Sequence, residues 1–183
     1  MSRYMENLIF RVIDESESNS WNDAVLEWEI IDCEEDDELS LSCICGKENL
    51  RYLYTIRNEL NGKVLFPIGS SCIKKFERSD LNEEIIVREG MFKLYRAIRT
   101  RTFIELSSEF FSRRLLNALY ERGAFKANQY NYYNGENDYL FMLDMFNKRN
   151  KDSISAAQQS KINAIIRWSI IPYLESELKF RNN

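Results

Sequence analysis

Four cysteines constrain this chain more tightly than anything else in it. Cys33, Cys43, Cys45 and Cys72 follow the pattern C-x9-C-x-C, then 26 residues beginning with Gly46, then C. In Cys43-Ile44-Cys45-Gly46 two thiols sit one residue apart, and the following glycine can take a positive φ that turns the chain sharply. Such a knuckle aims backbone N–H groups at the sulfurs and stabilises thiolates. Cys72 is placed at a predicted helix start, where free N–H groups favour a thiolate. A hairpin over 50–68 brings the two parts together. Lys47, Arg51, Lys74 and Lys75 flank them and offset the charge of a four-thiolate centre. The pattern favours one structural zinc ion on Cys33, Cys43, Cys45 and Cys72. Four buried unpaired thiols would be coincidental at this spacing. Disulfides need an oxidising compartment, and a bridge across one intervening residue is strained. If Cys33 is not a ligand, then Asp32, Asp36 or water completes the shell. With four thiolates the site is closed, hence structural and not catalytic.

Around the cysteines the pattern reads as α+β, a small zinc-stapled antiparallel β module followed by an α-helical bundle. Residues 3–13 have helical spacing, with Leu8, Ile9 and Val12 on one face, and Ser20 caps a short helix. Trp28–Asp32 alternates as a strand, and Glu34–Glu38 reads as loop. Leu50–Asn58 and Val64–Ile68 form strands around Asn61-Gly62, a strong hairpin signal. Gly69-Ser70-Ser71 opens a helix carrying Cys72, Ile73 and Phe76. From residue 80 the period becomes helical, over Asp80–Arg99, Ser107–Arg122, Glu136–Arg149 and Ser155–Phe180, with a kink expected at Pro172. The expected modules are therefore 1–78, the β module with its N-terminal helix, and 79–183, the bundle.

Charge is uneven along the chain. Asp14–Glu38 carries 12 acidic side chains and no basic one, whereas residues 47–126 carry 16 basic against 10 acidic. An acidic arm thus accompanies a mildly basic body. The run Glu34, Glu35, Asp36, Asp37, Glu38 reads either as a solvated loop or as a mimic of nucleic-acid phosphates that docks a basic protein groove. Arg88, Lys93, Arg96, Arg99 and Arg101 read as a solvated helix face or as a phosphate-tracking stripe. Tyr130, Tyr132 and Tyr133, in an aromatic polar turn, suit either an interface or helix–helix packing. Trp21, Trp28 and Trp168 are expected in core roles. The chain has no histidine, which removes the commonest general base, and no nucleophile motif or phosphate loop is present. No catalytic residue is assigned and no enzyme is expected. Residues 1–10 lack a signal-length apolar core, and no window approaches a membrane span, so a cytoplasmic protein is expected.

The segments WNDAVLEWEI, SCICGKENLRYLYTIRN, NGKVLFPIGSSCIKKF, FSRRLL and DYLFMLDMFNKR resemble a family of small zinc-binding proteins. These come from low-GC Gram-positive bacteria, their phages and other mobile elements. The CICGK…IGSSCIKKF pair is the most specific part, and the resemblance spans nearly the whole chain. It implies a metal site and a mobile-element setting. Small acidic phage proteins of such hosts include inhibitors of type II CRISPR nucleases. The expectation is therefore a non-enzymatic anti-CRISPR protein whose partner is a type II CRISPR effector nuclease of the host cell, with its DNA loading or cleavage blocked. The alternative is a nucleic-acid-binding zinc module of a mobile element.

Overall fold

A computed structural model describes residues 1–180. The fold is α+β: three strands of a four-stranded sheet lie in the N-terminal half, the short fourth comes from residues 179–180, and helices make up most of the rest. Two compact units divide between Arg88 and Glu89. The first takes Met1–Arg88 together with Lys179 and Phe180, and the second is Glu89–Leu178. The division falls inside a helix, and Lys179 and Phe180 return to the first unit, whereas the sequence suggested a break before residue 79 with no return. The last residues of the expected bundle, 181–183, lie outside the described residues.

In the first unit Ser2 caps α1 (Arg3–Asp14), which buries Leu8 and Val12 and half-buries Ile9. Ser20 accepts the Asp23 N–H and caps α2 (Trp21–Ala24). A single 3₁₀ turn then delivers Glu27 to the interior. Its carboxylate accepts the N–H groups of Glu17 and Ser18 and the side-chain amide of Asn58. Burial pushes this carboxyl up, but the hydrogen bonds from Ser18, Glu17 and Asn58 outweigh it and bring the pKa down to about 2.

The sheet order is β3-β2-β1-β4. Strands β1 (Trp28–Glu35), β2 (Tyr52–Asn58) and β3 (Val64–Ile68) are antiparallel neighbours, and β4 (Lys179–Phe180) pairs parallel with the end of β1. The hairpin loop is longer than the two residues of a type I′ turn. Asn58 accepts the N–H groups of Leu60 and Asn61, and Gly62 sits at φ 74°. In β1 the register with β2 slips between Ile30 and Asp32. One extra residue in a strand exchanges its two faces beyond that point. Trp28 is buried before the bulge; after it Cys33 and Glu35 turn inward instead of Asp32 and Glu34.

This corrects the acidic run. Glu34 and Glu35 extend β1, and Asp36 is buried, accepting from the Ser40 hydroxyl and from the N–H groups of Glu38 and Ser40. Arg51 lies 3.6 Å from Glu35 and 3.5 Å from Asp37. Only Asp37 and Glu38 of the five are exposed.

The second unit is helical. It comprises the later part of α4 (Ser79–Arg99), then α5 (Arg113–Glu121), α6 (Gly135–Asn147), α7 (Ala156–Ile165) and α8 (Ile171–Glu177). The N-cap of α5 is Ser112 rather than Ser107, and Gly123 at φ 81° follows its end. Leu115, Leu116 and Leu119 are buried as the spacing requires. Tyr120 of α5 stacks on Tyr139 of α6, centroids 4.5 Å apart. The expected Pro172 kink takes the form of a π-helical turn over Ile166–Ile170, just before the proline. A proline has no N–H for the carbonyl four residues earlier, and a wider turn absorbs that loss. Trp168 is on this turn and is 69% exposed, not in the core.

Candidate metal centre

The loop between β1 and β2 closes on itself before it reaches the sheet. Cys43 donates its N–H to the Lys47 carbonyl (2.8 Å), Gly46 donates to the Cys43 carbonyl (2.7 Å), and Leu50 donates to that of Leu41 (3.1 Å). Gly46 takes φ 92°, a value side-chain-bearing residues rarely adopt, so the knuckle requires glycine here. Two bonds fix the loop to its surroundings: Ile44 N–H to the Pro67 carbonyl at the end of β3, and Asn7 of α1 to the Cys45 carbonyl.

Strand β3 then runs into Gly69, the N-cap of α3 (Ser70–Ile73), which carries Cys72. The hairpin thereby returns Cys72 to the knuckle. Its sulfur lies 3.6 Å from that of Cys43 and 3.4 Å from that of Cys45, and all three fall within 4.8 Å of one another. All three residues are buried. Tetrahedral zinc with Zn–S bonds of about 2.3 Å spaces its sulfurs ~3.8 Å apart. The cluster therefore needs only small adjustments to hold such an ion.

Electrostatics point the same way. The hydrogen bond between the Cys43 and Cys72 thiols brings Cys43 down to about 5 against the opposing effect of burial, with help from the N–H groups of Cys45 and Gly69. The same bond raises Cys72, and burial and the Cys43 charge raise it further. Burial also raises Cys45. Cys43 is thus lowered and Cys72 raised, although the helix start was expected to favour a thiolate at Cys72 as the knuckle does at its own sulfurs. Three sulfurs this close cannot all ionise by themselves, and a divalent cation is what would let them.

Cys33 stands outside the trio. It faces Tyr54 across the β1–β2 ladder, in line with Ile68 beyond, so the bulge turns it into the sheet core. The alternative oxygen ligands are committed elsewhere, Asp32 to Lys179 at 2.5 Å and Asp36 to Ser40. None of the four cysteines is in a disulfide.

No protein family, curated protein or solved structure matches the chain.

Beside the trio, on the side of Cys43 and Cys72, lies a cavity of about 200 Å³. Its lining includes Lys47, Asn49, Arg51, Tyr52, Ser70 and Ser71. Lys74 and Lys75, expected beside the metal, are exposed on the turn after α3. Of the basic helix residues, Arg88 is paired with Glu84 at 2.5 Å, and Lys93 donates to the Glu109 carbonyl.

In the second unit the three tyrosines form the most exposed aromatic group of the described residues. Tyr130, Tyr132 and Tyr133 are 81%, 87% and 75% exposed. Beneath them Asn128 and Asn131 make a reciprocal capping box, and buried Asn131 donates to buried Asp138 at 2.8 Å. Tyr132 and Tyr133 both sit at φ 57°. The turn is thus over-determined by polar contacts, with its rings held outward. No described helix is long and apolar enough to cross a membrane.

Proposed function

We propose that this protein is a non-catalytic inhibitor of the host cytoplasm, with its sheet unit held by zinc on a thiolate cluster and its tyrosine turn docking a host protein. The observation that carries the reading is three exposed tyrosines on a turn whose left-handed backbone is secured by the buried amide of Asn131. A non-glycine residue in the left-handed region costs on the order of 1 kcal/mol or more, and such strain persists where function requires it. Tyrosine gives contact area at low entropic cost, which suits the centre of a protein interface. Asp37 and Glu38 add exposed negative charge on the other unit, suited to a basic partner.

The partner proposed is a type II CRISPR effector nuclease, with DNA loading or cleavage as the step blocked. The motif resemblance and its mobile-element setting support that choice. Mixing purified protein with the nuclease tests it: a complex stable to gel filtration and loss of cleavage at equimolar ratio are expected. Unchanged cleavage and DNA binding at severalfold excess reject it. Salt-sensitive retention of DNA or RNA by the protein alone would favour the nucleic-acid-binding alternative instead.

A further inference from the structure

The shell around the proposed ion is one ligand short. A tetrahedral metal takes four donors, and the chain brings together three sulfurs. Cys33 is turned into the sheet core, and Asp32 and Asp36 are held by Lys179 and Ser40. What borders the trio instead is the cavity lined by Cys43 and Cys72, of about 200 Å³. That volume takes a few small molecules and is too small for a drug-sized ligand. We propose that the fourth coordination position of the metal opens into this cavity and binds a small anion from solution, displacing water.

The lining fixes the ligand class. Lys47 and Arg51 bring positive charge to the rim, while Asn49, Ser70 and Ser71 supply amide and hydroxyl groups. Three thiolates on a divalent ion leave one net negative charge, and a second anion is tolerated only where cations offset it. Arg51 is shared with Glu35 and Asp37, so Lys47 carries most of that task. The cavity lining includes no carboxylate and the chain no histidine. The chemistry proposed for the position is ligand exchange.

The inference rests on the thiolate–metal reading, and full-length protein loaded with Co²⁺ separates the two. Metal content and thiolate-to-cobalt charge-transfer absorption are read first, then the visible ligand-field bands during a thiocyanate titration. One cobalt per chain, three-thiolate intensity and a saturable band shift are expected. Lys47→Gln should weaken thiocyanate severalfold with metal content unchanged, and Cys33→Ser should leave the spectrum as it was. One cobalt per chain with bands indifferent to thiocyanate overturns the inference and leaves the metal reading standing, as does loss of charge-transfer intensity in Cys33→Ser. Absence of bound metal overturns both.

Discussion

The backbone N–H of Gly69 donates to the Sγ of Cys43 at 3.3 Å, joining positions 26 residues apart. It ties the entry of α3 to the knuckle before a metal is considered, so the hairpin partly organises the cluster. The ion would then lock an arrangement that the backbone already favours.

Metal loss is therefore expected to unfold the first unit. Structural zinc contributes on the order of 10 kcal/mol of binding free energy, against a domain stability of roughly 5–15 kcal/mol. Cys72→Ser removes one of three ligands. Metal content should fall from one ion per chain to near none, and the sheet signal in circular dichroism should be lost. Cys33→Ser, in contrast, should keep its metal and lose about 1–2 kcal/mol through a buried hydroxyl in the sheet core. Elemental analysis of the two variants side by side checks the distinction.

Glu27 supplies a pH dependence of known sign. Its folded pKa of about 2 lies below the ordinary value of 4.5. A depressed carboxyl contributes fully above its unfolded pKa and loses that contribution as pH falls toward its folded pKa. The stabilisation is thus expected at pH 5 and above and to disappear between about 4.5 and 2. At neutral pH, Glu27→Ala leaves two backbone N–H groups and the Asn58 amide without their acceptor, a cost on the order of 3 kcal/mol. Urea unfolding of both proteins from pH 2 to 6 should show the gap between them closing in that window. A constant gap contradicts it.

Much of this was legible from spacing alone. The hairpin, the knuckle glycine and three converging cysteines follow from short-range patterns that tertiary context does not overturn. Cys33 and the acidic run were misplaced for one shared reason. A bulge at Ile31 reverses the faces of β1, and nothing in WEIIDCEE distinguishes a bulged strand from a regular one. The two-residue strand Lys179–Phe180 is too short for a periodic signal. Ser107 and Ser112 are equally good caps by residue type, and only the observed turn over 107–111 decides between them. Trp168 is exposed because the π turn before Pro172 rotates the helix out of its 3.6-residue phase.

Gly135, the first residue of α6, has no alternative. A Cβ built there would lie 2.0 Å from the Phe125 carbonyl oxygen, a backbone atom that no rotamer change can move. Gly135→Ala is expected to destabilise the helical unit by at least ~2–3 kcal/mol. The turn bearing Tyr130, Tyr132 and Tyr133 abuts this helix start, so their fluorescence and protease sensitivity should change with it. An alanine variant as stable as wild type in thermal unfolding would contradict that close approach.

Tyr132 offers the sharpest separation of stability from binding. Its φ of 57° suits glycine better than tyrosine, and its ring is 87% exposed, so removing the ring forfeits little packing. Tyr132→Gly relieves left-handed strain of about 1–2 kcal/mol, against an entropic cost for glycine of about 0.5–1 kcal/mol. The variant should be as stable as wild type or more so by up to ~1.5 kcal/mol. If the tyrosine turn is the docking surface, the same substitution should weaken partner binding by at least tenfold, as loss of a central interface tyrosine does. Thermal unfolding and titration calorimetry on one preparation read both quantities. Equal stability with undiminished binding would leave the strained turn in place but remove its role in docking.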